Sequence, residues 1–150
     1  MNSTREQALA FVYSEEPDYA EAAAQLGAEA LPHLRQIVEE GDLEFASKAT
    51  CIASIIGGEQ SVEIVEMAAR SPNPVMRIAA AVSLSNLSEV PISLVGRLLN
   101  DQDVGVRQVT LESLEIQKPA GVKSKVHEVA HADPNPALRE LASRVANTLS

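Results

Sequence analysis

Aromatic side chains are scarce in this sequence. Its 150 residues include no tryptophan, two phenylalanines and two tyrosines, whereas 45% of the residues are apolar. The core must therefore consist mainly of Ala, Val, Leu and Ile, whose small side chains let helices approach closely. This composition favours stacked helices in one domain, and it excludes a disordered chain, which would bury too little apolar surface to fold.

The sequence also has a single cysteine and no long apolar run. One cysteine, Cys51, excludes an internal disulfide and indicates a reducing cytoplasm as the expected location. Cys51 lies in the apolar segment 49–52 with no histidine nearby in sequence, which indicates a packed thiol rather than a nucleophile. Residues 1–6 do not begin a signal peptide, and no segment approaches the length of a membrane span. We therefore expect no membrane association.

Basic residues are outnumbered, with 12 Lys and Arg against 21 Asp and Glu and a net charge of −9. The excess is confined to residues 1–75, which hold 13 acids and 4 bases, because residues 76–150 hold 8 of each. A phosphate backbone is repelled by such a surface, so we expect no nucleic-acid ligand. The acidic half is either a solvated face or a docking surface for a basic partner.

An internal repeat of about 30 residues organises the chain. A basic residue recurs at intervals of 29, 30 and 32 residues, at Lys48, Arg77, Arg107 and Arg139. Two more columns accompany it: Glu44, Asn73, Asp103 and Asn135 stand four positions earlier, and Asp42, Ser71, Asp101 and Asp133 stand six positions earlier. The turns at 71–74 and 133–136 are nearly identical, so the columns share one register.

Apolar stripes at three- and four-residue spacing follow each turn and predict helices. We expect an all-α fold, an α-solenoid of about four and a half helix pairs with no strands, in a single domain 1–150. The first helix of each pair is called the A helix and the second the B helix. The ten predicted helices are 4–14, 18–26, 29–40, 43–56, 59–70, 74–87, 91–99, 104–115, 119–131 and 135–149. Residues 1–16 form an N-terminal capping helix, 17–41, 42–70, 71–100 and 101–132 are repeats, and 133–150 form a C-terminal capping half repeat.

These segments resemble HEAT-like repeats. The stretch Asp101-Gln102-Asp103-Val104-Gly105-Val106-Arg107 looks like the family's Asp-x-Asp/Asn-x-x-Val-Arg signature, and residues 26–34 are similar to its Leu-Gly then Ala-x-Pro-x-Leu pattern. The short repeat resembles the bacterial class also found in phycobilisome lyase subunits. The resemblance implies that the recurring polar side chains form a structural ladder between repeats, with Asp42, Lys48, Asn73, Arg77, Asp101, Asp103, Arg107, Asp133, Asn135 and Arg139 as its members.

One motif points to metal chemistry. The segment His127-Glu128-Val129-Ala130-His131 matches H-E-x-x-H, in which two imidazoles on one helix face share a zinc ion and the glutamate acts as general base. A metzincin continuation would need Gly at 134 and His at 137, where this chain has Pro134 and Ala137. His127 and His131 are therefore a weak metal candidate, and a zinc-dependent hydrolase is a remote alternative. Their other interpretation is as cations favoured at a helix C-terminus.

Function is expected on the concave B-helix face, where solenoids usually bind partners. Residues off the apolar stripes should project there: Gln36, Glu40, Glu63, Glu66, Met67, Arg70, Arg97, Lys123 and His127. They change from acidic to basic along the chain, so we hypothesise a non-catalytic adaptor whose protein partner presents a basic segment to Glu63 and Glu66. The other interpretation is that these side chains only face solvent and bind no partner.

The alternative function, implied by the repeat class, is a lyase-type accessory subunit acting on a chromophore-bearing protein. For either function we expect no cofactor and no catalytic residue. Gly96, inside a predicted B helix, indicates close approach of a ligand or of a neighbouring helix, because glycine there costs about 1 kcal/mol relative to alanine.

Overall fold

The computed structural model describes residues 4–150, and ten α-helices and no strand occur within that range. The helices are α1 (Thr4–Tyr13), α2 (Tyr19–Leu26), α3 (Leu31–Glu40), α4 (Leu43–Ile56), α5 (Glu59–Ala69), α6 (Pro74–Ser83), α7 (Ile92–Leu99), α8 (Val104–Gln117), α9 (Lys123–Ala132) and α10 (Pro136–Thr148). No helix within residues 4–150 is long and apolar enough to cross a membrane.

The helices form two layers. Helices α2, α4, α6, α8 and α10 pack side by side as the A layer, and α3, α5, α7 and α9 pack side by side as the B layer. Helix α1 lies at one end, against α2, α3 and α4. The predicted all-α solenoid is confirmed by this arrangement, in which each helix pair contacts the next.

Short polar side chains start the A helices. The side chains of Asn73, Asp103 and Asn135 accept hydrogen bonds from first-turn N–H groups at 2.9–3.1 Å, and Asp18 does the same at the start of α2. A capping oxygen satisfies one of the N–H groups that has no partner within the helix, so these residues set where each helix begins. Asn73, Asp103 and Asn135 therefore cap helices and do not bridge repeats.

Four predicted boundaries are wrong by two to four residues. Helix α3 begins at Leu31 rather than at 29, because Ala28–Ala30 form a 3-10 turn. Helix α9 begins at Lys123 rather than at 119, because Lys118 (φ 49°) and Gly121 (φ 83°) turn the chain before it. Helix α6 ends at Ser83 and continues as a 3-10 turn over Leu84–Asn86. Helix α8 runs on to Gln117 instead of ending at 115.

The core is aliphatic and rich in alanine, as the composition indicates. One cluster of buried side chains lies between residues 8 and 64 and a second between residues 46 and 149. Ala49, Ala80 and Ala81 on adjacent A helices are fully buried, as is Leu111 on the next. Small side chains at these positions let the A helices pack closely.

Two buried ion pairs connect consecutive repeats. Arg77 on α6 donates from Nε to Asp101 Oδ2 at 2.8 Å, and Arg107 on α8 donates from Nε to Asp133 Oδ2 at 2.8 Å. Each arginine also donates from a terminal nitrogen to the turn before its own helix, Arg77 to Ser71 O at 3.0 Å and Arg107 to Asp101 O at 2.9 Å. Each of the four charged side chains is at most 11% exposed. Each arginine therefore joins its own turn to the turn of the next repeat.

The carboxylates of these pairs also shape the turns that carry them. Asp101 Oδ1 accepts from the backbone N–H of Asp103 at 2.9 Å, and Asp133 Oδ1 accepts from that of Asn135 at 2.9 Å. Because the other oxygen of each carboxylate accepts from an arginine, one aspartate holds both the turn and the inter-repeat contact. A buried carboxylate needs such partners, since an unpaired one would be costly.

Lys48 does not belong to this ladder, so its alignment with the arginines is wrong. Counted from the N-cap, the position of Arg77 in α6 corresponds to Ala46 in α4. Lys48 Nζ donates instead to Ser14 O at 2.6 Å and lies 3.2 Å from Glu44 Oε1. It therefore ties α4 to the turn before α2 rather than to the next repeat.

Turn length explains the shift at Lys48. The α3–α4 turn has only two residues, Gly41 in the left-handed region at φ 79° and the N-cap Asp42, whereas the α5–α6 turn spans 70–73. A short turn has fewer free carbonyl groups for an arginine to bind, and Ala46 has no charged group to pair with the next turn, as Arg107 pairs with Asp133. Asp42 begins α4 as its N-cap, and no ion pair within residues 4–150 includes it.

Arg139 occupies in α10 the position that Arg77 and Arg107 occupy in their helices. It contacts the turn before its own helix but has no aspartate of a next repeat to pair with within residues 4–150. It donates from a terminal nitrogen to Asp133 O at 2.7 Å, and no carboxylate within residues 4–150 pairs with it. Arg139 is thus a matched control for Arg107, with the same helix position and the same turn contact.

Arg107→Ala should lower the free energy of unfolding by about 3 kcal/mol, because it leaves the buried Asp133 carboxylate without its cation. Arg139→Ala should lower it by about 1 kcal/mol, the value of one hydrogen bond. Urea unfolding followed by circular dichroism measures both. Equal losses for the two variants would show that the ion pair does not stabilise the repeat junction.

Candidate protein-binding face

The side chains predicted to contact a partner lie on B-layer helices or directly at their ends. Gln36, Glu40, Glu63, Arg70, Arg97 and His127 are exposed, and Glu66, Met67 and Lys123 are half-buried. We call the solvent-exposed surface of α3, α5, α7 and α9 the B face. It is a continuous surface across the helix pairs because each B helix packs against the next.

The two acids expected to meet a basic partner already have partners within the chain. Arg35 NH1 lies 3.2 Å from Glu63 Oε2, and Arg70 NH2 lies 3.2 Å from Glu66 Oε2. Arg35 and Glu63 are each about half exposed, and such pairs contribute only about 0.2–1 kcal/mol. A basic partner could displace Arg35 and Arg70, but the pairs reduce the negative charge that it would meet.

The later part of the B face carries cations that are not compensated in this way. Arg97 on α7 and Lys125 on α9 have no ion-pair partner within residues 4–150. They line a groove between α5, α7 and α9, together with Glu66, Arg70 and Asn100. Arg97 is among the contact residues predicted from the sequence, whereas Lys125 is not.

Gly96 accounts for the position of Lys125. A Cβ built on Gly96 would lie 3.2 Å from Lys125 Nζ and 3.5 Å from Cε, so the lysine side chain crosses α7 where a side chain is missing. The glycine in the helix thus reflects the close approach of a neighbouring helix's side chain. In the sequence this glycine indicates the close approach that places Lys125 in the groove.

The two histidines of the H-E-x-x-H segment lie on one side of α9. Their ring centroids are 6.4 Å apart with an interplanar angle of 23°, and both side chains are exposed. Across the described part of the chain, no group of three or more His, Cys, Asp or Glu side chains is placed to hold a metal ion. A catalytic zinc takes three protein ligands, so His127 and His131 alone do not make such a site.

Cys51 lies inside the A layer, where burial raises the pKa of its thiol and a hydrogen bond from Ser83 partly offsets that effect. The Ser83 Oγ to Cys51 Sγ distance is 4.0 Å. Burial, and to a smaller extent Cys51, also raises the pKa of Tyr19. A nucleophilic cysteine needs a lowered pKa, so this environment disfavours catalysis by Cys51.

The raised pKa of Cys51 predicts a loss of stability in alkaline solution. The unfolded thiol ionises from about pH 8.5 whereas the folded thiol stays protonated, so the free energy of unfolding falls as the pH rises above that value. Cys51→Ala should make this fall shallower, with Tyr19 contributing the remainder in the same direction. Urea unfolding between about pH 7.5 and 10 measures the slope. A slope identical to that of the wild type would contradict the prediction.

Comparison with known proteins gives a fold match and no sequence match. No protein-family model and no curated protein match the chain. The solved structure of the complex of CpcE and CpcF of phycocyanin lyase from Nostoc sp. PCC7120 is similar, with a TM-score of 0.71 and 19% identity. The likeness covers 95% of this chain and 96% of that chain. It shows a shared helical-repeat fold, and the neighbour is one of two proteins solved as a complex.

Proposed function

We propose that this chain is a lyase-type accessory subunit, which forms a complex with a second protein and acts on a chromophore-bearing protein. The observation that carries this proposal is the end-to-end likeness to a subunit of a phycocyanin lyase complex. The match covers 95% of this chain and 96% of that chain, so the likeness is not confined to a shared helix pair. A cytoplasmic location is part of the proposal.

The B face supports a binding role for the subunit. It is a broad, polar and continuous surface, and the candidate reactive groups examined in the sequence lie outside any ligand set or activating environment. Within residues 4–150, no third His, Cys, Asp or Glu side chain is placed to hold a metal with His127 and His131, and the Cys51 thiol has a raised pKa. We therefore assign the chain a part in holding proteins together, and the chemistry to the complex in which it takes part.

The test is reconstitution with a phycocyanin subunit, its bilin and a second lyase-type subunit. The chain should co-purify with the second subunit and increase the amount of bilin bound covalently, read as visible absorbance that survives denaturation. Arg97→Glu with Lys125→Glu should weaken the complex at least tenfold, or about 1.4 kcal/mol, because two B-face charges are reversed.

The control for that test is Arg5→Glu with Arg144→Glu, which changes the net charge equally. Arg5 on α1 and Arg144 on α10 are exposed and lie outside the B face. Equal loss in both variants would mean that net charge, and not the B face, decides binding. A complex without any increase in bound bilin would contradict the lyase-type role.

A protein adaptor with no chromophore-bearing target is a second candidate, favoured by the charge gradient along the B face. If a partner's basic segment meets the early repeats, Glu63→Lys with Glu66→Lys should lower its affinity at low salt, because both carboxylates become repulsive. Titration calorimetry of the wild type and the variant with this partner measures the change in affinity. Unchanged affinity would rule out a basic contact at this position.

A further inference from the structure

We infer that the groove between α5, α7 and α9 binds a short carboxylate-rich segment of a partner protein. This inference rests on the proposed function only in assuming that a protein partner exists. It reverses the sign of the contact expected from the sequence, because the two charges in this groove that have no ion pair within residues 4–150, Arg97 and Lys125, are cations.

The charges around the groove are unequal. Arg70, Arg97 and Lys125 line it, and Glu66 is the one carboxylate among its lining residues. Glu66 pairs with Arg70 at 3.2 Å, which leaves Arg97 and Lys125 without a counter-ion within residues 4–150. A guanidinium binds a carboxylate through two parallel N–H donors, and an ammonium adds a compact second charge. The groove therefore suits two neighbouring carboxylates.

Gly96 acts as a positioning residue for the lysine. An added Cβ would lie within 3.2–3.6 Å of the last three heavy atoms of Lys125, the flexible end of the side chain. Glycine inside a helix is destabilising relative to alanine, and the three heavy atoms nearest to an added Cβ all belong to Lys125. The missing side chain is thus the feature that holds the ammonium group over α7, in the groove.

Carboxylates on both sides of the groove limit the length of an acidic ligand. Glu66 borders the groove on the α5 side, and Glu128 on α9 lines the adjoining groove, which Gly96 and Lys125 also line. Glu63 extends the acidic region beyond Glu66 on the same helix. A long polyanion such as a nucleic acid would cross these carboxylates and be repelled, whereas a short acidic segment fits between them.

The probe is a blocked hexaglutamate peptide, titrated into the full chain at low and at high salt. Binding should appear at low salt and weaken as salt rises, because the contact is electrostatic and exposed. Arg97→Gln with Lys125→Gln should weaken it at least tenfold. Arg144→Gln, an exposed A-layer arginine, should leave it unchanged. Equal binding by all variants, or tighter binding of hexalysine or of inorganic phosphate, would overturn the inference.

A second variant separates the groove from general stability. Gly96→Ala should raise the melting temperature, because alanine favours the helix, and should weaken hexaglutamate binding severalfold by moving the Lys125 ammonium. A higher melting temperature together with weaker binding of hexaglutamate would show that misfolding does not cause the weaker binding. Binding as tight as that of the wild type would overturn the role of Gly96 and with it the inference.

The outcomes for the peptide and for the lyase-type role are distinguishable. If hexaglutamate does not bind but the chain still raises bilin attachment in the reconstituted complex, the groove inference fails and the proposed function stands. If the peptide binds in the groove but no bilin is attached, the proposed function fails and the acidic-segment site stands.

Discussion

The buried arginine–aspartate pairs are the constraint on which the solenoid depends. Arg77 with Asp101, and Arg107 with Asp133, lie between consecutive A helices and are almost inaccessible to water. Each pair joins the turn before one helix to the turn before the next, and together they connect α6, α8 and α10, the later half of the A layer. Replacing buried pairs by apolar residues often costs nothing, so their value here is in geometry: they set the orientation of one repeat on the next.

Because these ion pairs lie in the A layer, the charged side chains of the B layer remain available for binding. The A layer uses Arg77 and Arg107 internally, whereas the B helices need to bury only one face and keep charged side chains in solvent. Arg97 is exposed and Lys125 is half-buried, and neither has a counter-ion within residues 4–150. A stack of packed helices that presents unpaired charges is suited to recognising a protein.

The fold could be predicted because it follows from local signals, namely the apolar period, the capping residues and the recurring turns. The register of Lys48 could not be predicted from the sequence, because the shorter turn around Gly41 shifts the start of α4 by two residues relative to the other repeats. The pairing of Glu63 with Arg35, and the lysine lying across Gly96, are contacts between helices 28 and 29 residues apart in sequence. In the sequence, only Gly96 inside a helix indicates the approach of Lys125.

The most direct test of the B face as the binding surface is hydrogen–deuterium exchange of the chain, free and in complex with its partner. Binding at the B face predicts slower exchange in residues 59–69, 92–99 and 123–132, with little change in α6 and α8 of the A layer. Protection confined to the A helices would contradict this account, because the partner would then occupy the opposite layer of the solenoid.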